Sequence, residues 1–205
     1  MKMSDKFRNV VYRGNNSINI PSNAEVIRLP VLSADDAVSS YFGMVFEKNL
    51  AIPPRSETRI YFNLPSDTGI FVTDGQEYKR IDTIENWPKK FSLYGPASEG
   101  LVYRYFKGIY HEKLPKAEPN TIATAVDIVN KHHKWFMMTK VVFHHQSFNL
   151  FSLKRRIIGE LVEVSINNEG FILVSLKNKP SVQRAGLMPH IRQGASNTNE
   201  MRYGL

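Results

Sequence analysis

KKFSLYGPASEGLVYRYFKGIY, residues 89–110, decides how the rest of the chain is read. Phe91 and Leu93 lead into Tyr94-Gly95-Pro96, which breaks the run. Gly100 restarts it, and Val102, Tyr103, Tyr105, Phe106, Ile109 and Tyr110 supply bulk beyond. Short apolar and aromatic segments bounded by glycine and proline read as strands and turns. The stretch is therefore expected to be a strand, a turn and a long aromatic strand in the middle of a β core.

The same pattern recurs on both sides. Residues 58–64 (TRIYFNL) set Ile60 and Phe62 against Tyr61 and Asn63, the period of a half-buried strand. Pro65-Ser66-Asp67 reads as a turn and residues 69–73 as a short strand. Asp74-Gly75 reads as a hairpin tip, because Gly75 can take the positive φ of a primed turn, with residues 77–84 returning as partner. Residues 24–32 (AEVIRLPVL) form a strand whose Pro30 cannot donate to a ladder, which places it at an edge or a bulge. Residues 41–46, 121–129, 134–143, 148–151, 156–166 and 171–177 complete the set, and a polar, proline-bearing loop spans 112–120. No long stretch repeats every 3.6 residues. About a dozen short strands separated by turns predict an all-β, antiparallel β-sandwich, with a cupin-like jelly roll or barrel as the alternative. Parallel α/β architectures are disfavoured because crossover helices are missing.

Residues 1–23, polar around a few apolar positions, are expected to be an N-terminal extension. Residues 24–179 form the β-sandwich domain, and residues 180–205 a flexible C-terminal tail or one that orders on a partner. At 205 residues and 42% apolar content, one core is large enough to need no staple. The absence of cysteine excludes disulfides, cysteine-ligated zinc, iron–sulfur clusters and thiol catalysis. No apolar run approaches the roughly 20 residues of a membrane span, and no continuous apolar h-region opens the chain. A cytoplasmic protein without a membrane span is expected. The net charge of +8 biases the surface toward anionic partners, with Lys154-Arg155-Arg156 among the densest groups.

Catalytic signatures are not legible. His132-His133 and His144-His145 flank one strand about ten residues long, which separates the pairs by roughly 30 Å at ~3.3 Å per residue. Adjacent residues on a strand also face opposite ways, so no metal site is expected of them. Asp35-Asp36 fits a polar cap, and Glu160 with Glu163 is a carboxylate pair without a legible partner. Residues 95–100 (GPASEG) match neither a phosphate-cradling loop nor a nucleophile elbow. No cofactor is expected. A contact surface is legible in Tyr103, Arg104, Tyr105 and Lys107, where rings could stack bases and cations meet phosphate, together with Lys154, Arg155 and Arg156. The alternation puts Val102, Arg104 and Phe106 on one face against Tyr103, Tyr105 and Lys107. The other reading of these residues is one core face and one tyrosine-rich, half-wet face.

Lys90, Leu93-Tyr94-Gly95-Pro96, Gly100 and Arg104-Tyr105 resemble the K-x-x-LYGP-x-x-x-G-x-x-x-RY run of Domain of Unknown Function 432. Ile60-Tyr61, the Asn130 turn and Val141-Val142-Phe143 are also similar, so the resemblance covers about residues 24–179. It implies an archaeal, all-β intracellular protein without an assigned activity, and it carries over no catalytic residue. The leading functional expectation is a non-enzymatic β-sandwich that binds a protein partner or assembles as a homo-oligomer. Nucleic-acid binding through the basic, tyrosine-rich surface is the first alternative, and a small-ligand or carbohydrate-active sandwich the second.

Overall fold

The computed structural model describes residues 7–34, 37–188 and the backbone of 198–201. Asp35, Asp36 and His190 lie outside the described residues. In chain order the strands are β1 (Phe7–Arg13), β2 (Asn16–Pro21), β3 (Glu25–Leu32), β4 (Tyr41–Ile52), β5 (Ser56–Thr73), β6 (Tyr78–Ile84), β7 (Phe91–Tyr94) and β8 (Leu101–Gly108). They continue as β9 (Thr121–Asn130), β10 (Phe136–His144), β11 (Leu150–Leu153), β12 (Arg156–Ile166), β13 (Ile172–Pro180), β14 (Gly186–Leu187) and β15 (Thr198–Met201). Among the described residues the one helical turn is a 3-10 turn at His145–Ser147.

β10-β4-β8-β7 form one sheet, and β14-β11-β12-β9-β5-β3 form the spine of a larger one that β13, β15 and β6 extend. The sheets curl over each other into a sandwich-like half-barrel, and the all-β expectation holds. Phe42, Met44 and Phe46 of β4 and Val141 and Phe143 of β10 meet Ile60, Phe62 and Leu64 of β5, Ile122, Val126 and Ile128 of β9, and Val162 and Val164 of β12. Each such side chain contributes about 1.5–3 kcal/mol by leaving water, so this one layer dominates the stability of the fold. β9 lies inside the large sheet and is covered on both faces. Its outward Ala123 joins Phe151 and Ile158 in a second, small cluster beneath Leu114, Val182 and Ala185.

The structure corrects three local expectations. The sandwich is not purely antiparallel: β4 runs parallel to β8, and β9 parallel to β12. Parallel neighbours need long crossovers, usually helical. Here the connections travel through strands, β5 to β7 for the first pair and β10 to β11 for the second. Pro65-Ser66-Asp67 is not a turn but the middle of β5. Residues 56–65 pair with β9, then 66–73 pair with β3 and, from Thr68, with β6. The strand changes partners there because its polar groups find fixed ones: Ser66 N donates to Asn120 O at 2.9 Å, and Asp67 is held by side chains from elsewhere. Finally, the 89–110 stretch is the expected strand, turn and strand, but β7 is a sheet edge, and Phe91 and Leu93 stay exposed.

Other local signals stand. β3 ends the large sheet, so Pro30 sits in an edge strand. The β5–β6 hairpin turns through Asp74 and Gly75, with Gly75 at φ 93°. Its loop is longer than a two-residue primed turn, closed by Asp74 Oδ1 accepting from Gln76 N and Glu77 N. Those two bonds hold the Asp74 carboxyl below its ordinary range.

Candidate functional site: an arginine-lined cleft

On the outer side of the large sheet, β3, the bend of β5, the loop before β9 and the β11–β12 hairpin enclose a cleft of about 340 Å³. Arg28, Arg155 and Arg156 reach it from two strands and a turn, with Asn63, Asn120 and Asp67 among its other walls. The arginines are differently held. Arg28 Nη2 donates to Tyr12 O at 3.0 Å, tying the β1–β2 hairpin to β3. Arg156 Nη1 donates to Pro115 O at 2.9 Å, pinning the loop that roofs the cleft. Arg155 is exposed and makes no hydrogen bond or ion pair to another described residue. A guanidinium carries five donors and no acceptor, so each arginine keeps capacity for an anion.

Two backbone positions shape the rim. β11 and β12 pair Leu153 with Arg156, leaving Lys154-Arg155 as the turn, and Lys154 takes φ 57°. A side chain in that region costs roughly 1–2 kcal/mol, yet the conformation aims Arg155 and Arg156 at the cleft. Asn120, at φ 53°, turns the roof loop into β9, and its carbonyl accepts from both Ser66 N and Trp87 Nε1 at 2.9 Å.

Asp67, one of the cleft walls, belongs to a buried ion pair. Asp67 Oδ2 accepts from Ser33 Oγ at 2.6 Å and faces Arg104 Nη1 at 3.8 Å, while Asp67 Oδ1 accepts from Asn86 N at 2.7 Å. Arg104 Nη2 also donates to Trp87 O at 3.4 Å. With Asp67 offset by Arg104, the cleft presents three arginines against one further carboxylate, Glu118. The field there is positive.

The sequence-derived contact surface divides. Arg155 and Arg156 line the cleft, and Lys154 sits in the turn beside them. Tyr103 and Arg104 are buried to 3% and 2% exposure, which removes them from any surface contact. The reason is tertiary. Arg104 lies opposite Phe42 and Phe91 on the inward face of β8, where Asp67 neutralises it. Tyr103 lies over Gly43, where a Cβ would stand 2.4 Å from its ring, and against Tyr94 and Tyr105. Burial pushes its phenol above the ordinary value. Tyr105 is half-buried and Lys107 exposed on β8, away from the cleft walls. Lys140 Nζ stands 4.8 Å from the centre of the Tyr94 ring on that same outer face.

The histidines and Glu160 have structural partners. His132 and His133 occupy a bend rather than a strand, so their rings stack at 4.2 Å instead of facing apart. His132 Nδ1 accepts from Lys134 N at 3.0 Å; burial, then the charges of His133 and Lys134, lower its pKa. Burial alone lowers that of His144. No group of three His, Asp or Glu among the described residues is placed to hold a metal ion. Glu160, 1% exposed, accepts from Asn149 N and Nδ2, both at 2.9 Å, and from Asn178 N. Burial raises its pKa against those bonds. Glu163 pairs instead with Lys177 at 2.7 Å.

The family model described as "Protein of unknown function (DUF432)" matches residues 8–203. The chain belongs to that family. The DUF432 match runs beyond residues 24–179 at both ends, taking in most of the β1–β2 hairpin and the strands after β13. Every wall of the arginine cleft lies within it. Neither the curated proteins nor the solved structures include a match. Arg28 and Asn63 are among the cleft residues that the sequence alone does not mark. Arg28 is a single cation inside β3, and Asn63 looked like one polar step in an alternating strand. Only the register that brings these strands beside the β11–β12 turn gathers them.

Proposed function

We propose that this DUF432 chain is a cytoplasmic, non-enzymatic binding module whose ligand places an anionic group, of phosphate type, in the arginine cleft. The observation that carries this reading is the convergence of Arg28, Arg155 and Arg156 on one concavity, with Arg155 uncommitted to any described residue. Guanidinium groups match phosphate and carboxylate oxygens bidentately. A volume of about 340 Å³ is at the small end of ligand sites, which run about 300–1,000 Å³. The two most buried carboxylates near or across the sheet, Asp67 and Glu160, are committed to fixed donors, which supports binding over acid–base chemistry. Titration calorimetry with inorganic phosphate and pyrophosphate tests the proposal. The intact chain binds them, and Arg155→Ala with Arg156→Ala weakens binding at least tenfold. Equal affinity in the double variant, or no binding by the intact chain, overturns it.

A second reading, association with another protein or a second copy, is favoured by the β7 edge. Phe91, Leu93 and Val102 project from one face of the β7–β8 hairpin at 37%, 40% and 44% exposure. Light scattering across a concentration series tests it: a monomer throughout, unchanged by Leu93→Lys, removes self-association.

A further inference from the structure

The three arginines of the cleft enter it from two sides. Arg28 stands on β3, while Arg156 opens β12 and Arg155 lies in the turn just before it. In the large sheet β9 and β5 run between those strands, so three strand spacings, roughly 14 Å at ~4.8 Å each, separate the two sides. The registers add an offset along the strands. Arg28 falls in the row of Ile70 on β5, whereas Ile157, next to Arg156, pairs with Ile122 and falls in the row of Leu64. Each guanidinium is also tethered on its own side. Arg28 donates to Tyr12 O of the β1–β2 hairpin at 3.0 Å, and Arg156 to Pro115 O of the roof loop at 2.9 Å.

No cation stands between the two sides. The walls that β5 and β9 contribute include Ser66, Thr68, Thr121 and Ala123, and the charge of Asp67 there is offset by Arg104. The roof loop adds one charged wall among the described residues, the carboxylate of Glu118. The cleft is thus positive at its ends and neutral to negative along its middle. A ligand complementary to that pattern carries negative charge at its ends and none in its middle.

Resting on the anion-binding reading above, we infer that the ligand carries two phosphate-type groups at opposite ends of a neutral body, one held by Arg155 and Arg156 and the other by Arg28. Sugar bisphosphates and nucleoside bisphosphates have this chemistry. Inorganic phosphate and pyrophosphate fill one end at a time. Once one end is held, the second contact is made within the same complex, so the two multiply rather than compete.

Calorimetry on the full chain at pH 8 separates the cases, since phosphate monoesters, with a second pKa near ~6, are dianions there. Hexyl phosphate has one phosphate, 1,6-hexanediol bisphosphate has two on the same six-carbon body, and pyrophosphate has two side by side. The bisphosphate binds tenfold or more tightly than either of the others. Arg28→Ala leaves one end, as does Arg155→Ala with Arg156→Ala, and in each variant the bisphosphate and hexyl phosphate bind within twofold of each other. Equal binding of those two probes by the intact chain overturns the inference while leaving the anion site standing. So does pyrophosphate binding as tightly as the bisphosphate, which assigns the arginines to a single cluster of charge. A tenfold preference for the bisphosphate that survives in either variant overturns it as well. Failure of every probe refutes the anion site itself. The comparison among probes on the intact chain stands even where a variant does not fold.

Discussion

Arg104 Nη1 lies 3.8 Å from Asp67 Oδ2, and the two side chains are 2% and 1% exposed. One belongs to the motif strand β8, the other to the point where β5 changes sheets, so the pair joins the two layers. Removing one member of a buried pair strands the other charge and costs about 3–5 kcal/mol. Asp67→Ala is expected to lose that much in urea unfolding. Asp67→Ala combined with Arg104→Met should cost clearly less than the sum of the single changes, because no charge is then left behind. Simple additivity would mean that the two groups do not stabilise each other.

Gly43 is expected to tolerate no side chain while Tyr103 is in place. A Cβ there would stand 2.4 Å from two Tyr103 ring atoms in a well-packed layer. Overpacking of this kind costs about 1–3 kcal/mol. Gly43→Ala should lower the unfolding midpoint accordingly, and the same change made on a Tyr103→Ala background should cost much less. A Gly43→Ala penalty that survives the loss of Tyr103 would place the strain elsewhere.

Lys154→Gly should stabilise the protein. Lys154 holds φ 57° in the two-residue turn between β11 and β12. Glycine removes a side-chain penalty of roughly 1–2 kcal/mol there, offset in part by its greater freedom when unfolded. A net gain of about 0.5–1 kcal/mol by thermal or urea unfolding is expected. A loss of stability would show that the lysine side chain makes up for its backbone.

Two buried groups give opposite pH slopes. Glu160 has its pKa raised by burial, so the folded state holds that proton more tightly than the unfolded chain does. Its contribution to stability is full below about 4.5 and is lost as pH rises through the folded value. His132 has its pKa lowered, so stability falls as pH drops below about 6.5, where the unfolded chain takes up the proton first. Urea midpoints measured from pH 4 to 8 should show Glu160→Gln losing the first slope and His132→Gln the second. Unchanged slopes in either variant would dissociate that residue from the pH response.

Asn130 should be a large single-residue determinant of the β9–β10 connection. At 1% exposure, its Nδ2 donates to Pro53 O at 2.7 Å and Lys134 O at 3.0 Å, and its Oδ1 accepts from His132 N at 3.0 Å. Asn130→Ala leaves three buried or part-buried backbone groups without that partner, a cost of about 2–4 kcal/mol by unfolding. A loss below about 1 kcal/mol would mean that those groups find other partners.

What the sequence makes legible is local. Alternation sets β12 at residues 156–166 to the residue, and Asp74-Gly75 marks the β5–β6 hairpin, because each depends on neighbours within a few positions. The bend in β5 looked like a turn because Pro65-Ser66-Asp67 has turn chemistry, whereas Ser33, Asn86 and Arg104, which satisfy Asp67, lie far away in the chain. Tyr103 and Arg104 looked like a surface for the same reason: Gly43 and Asp67, which bury them, are distant. Lys154-Arg155-Arg156 was visible as charge. The concavity that gives the charge a use needs Arg28 and Asn63, and neither is unusual where it stands in the sequence.

The parallel pairing of β4 with β8 bears on how the chain is made. On the ribosome β4 emerges before either sheet neighbour, since β8 follows β5 to β7 and β10 comes later still. Both of its edges, and the apolar face of Phe42, Met44 and Phe46, must wait for those segments to be translated. An open apolar edge of this kind invites pairing with other chains. Synthesis, more than the finished fold, is therefore the stage at which this protein depends on protection from its neighbours.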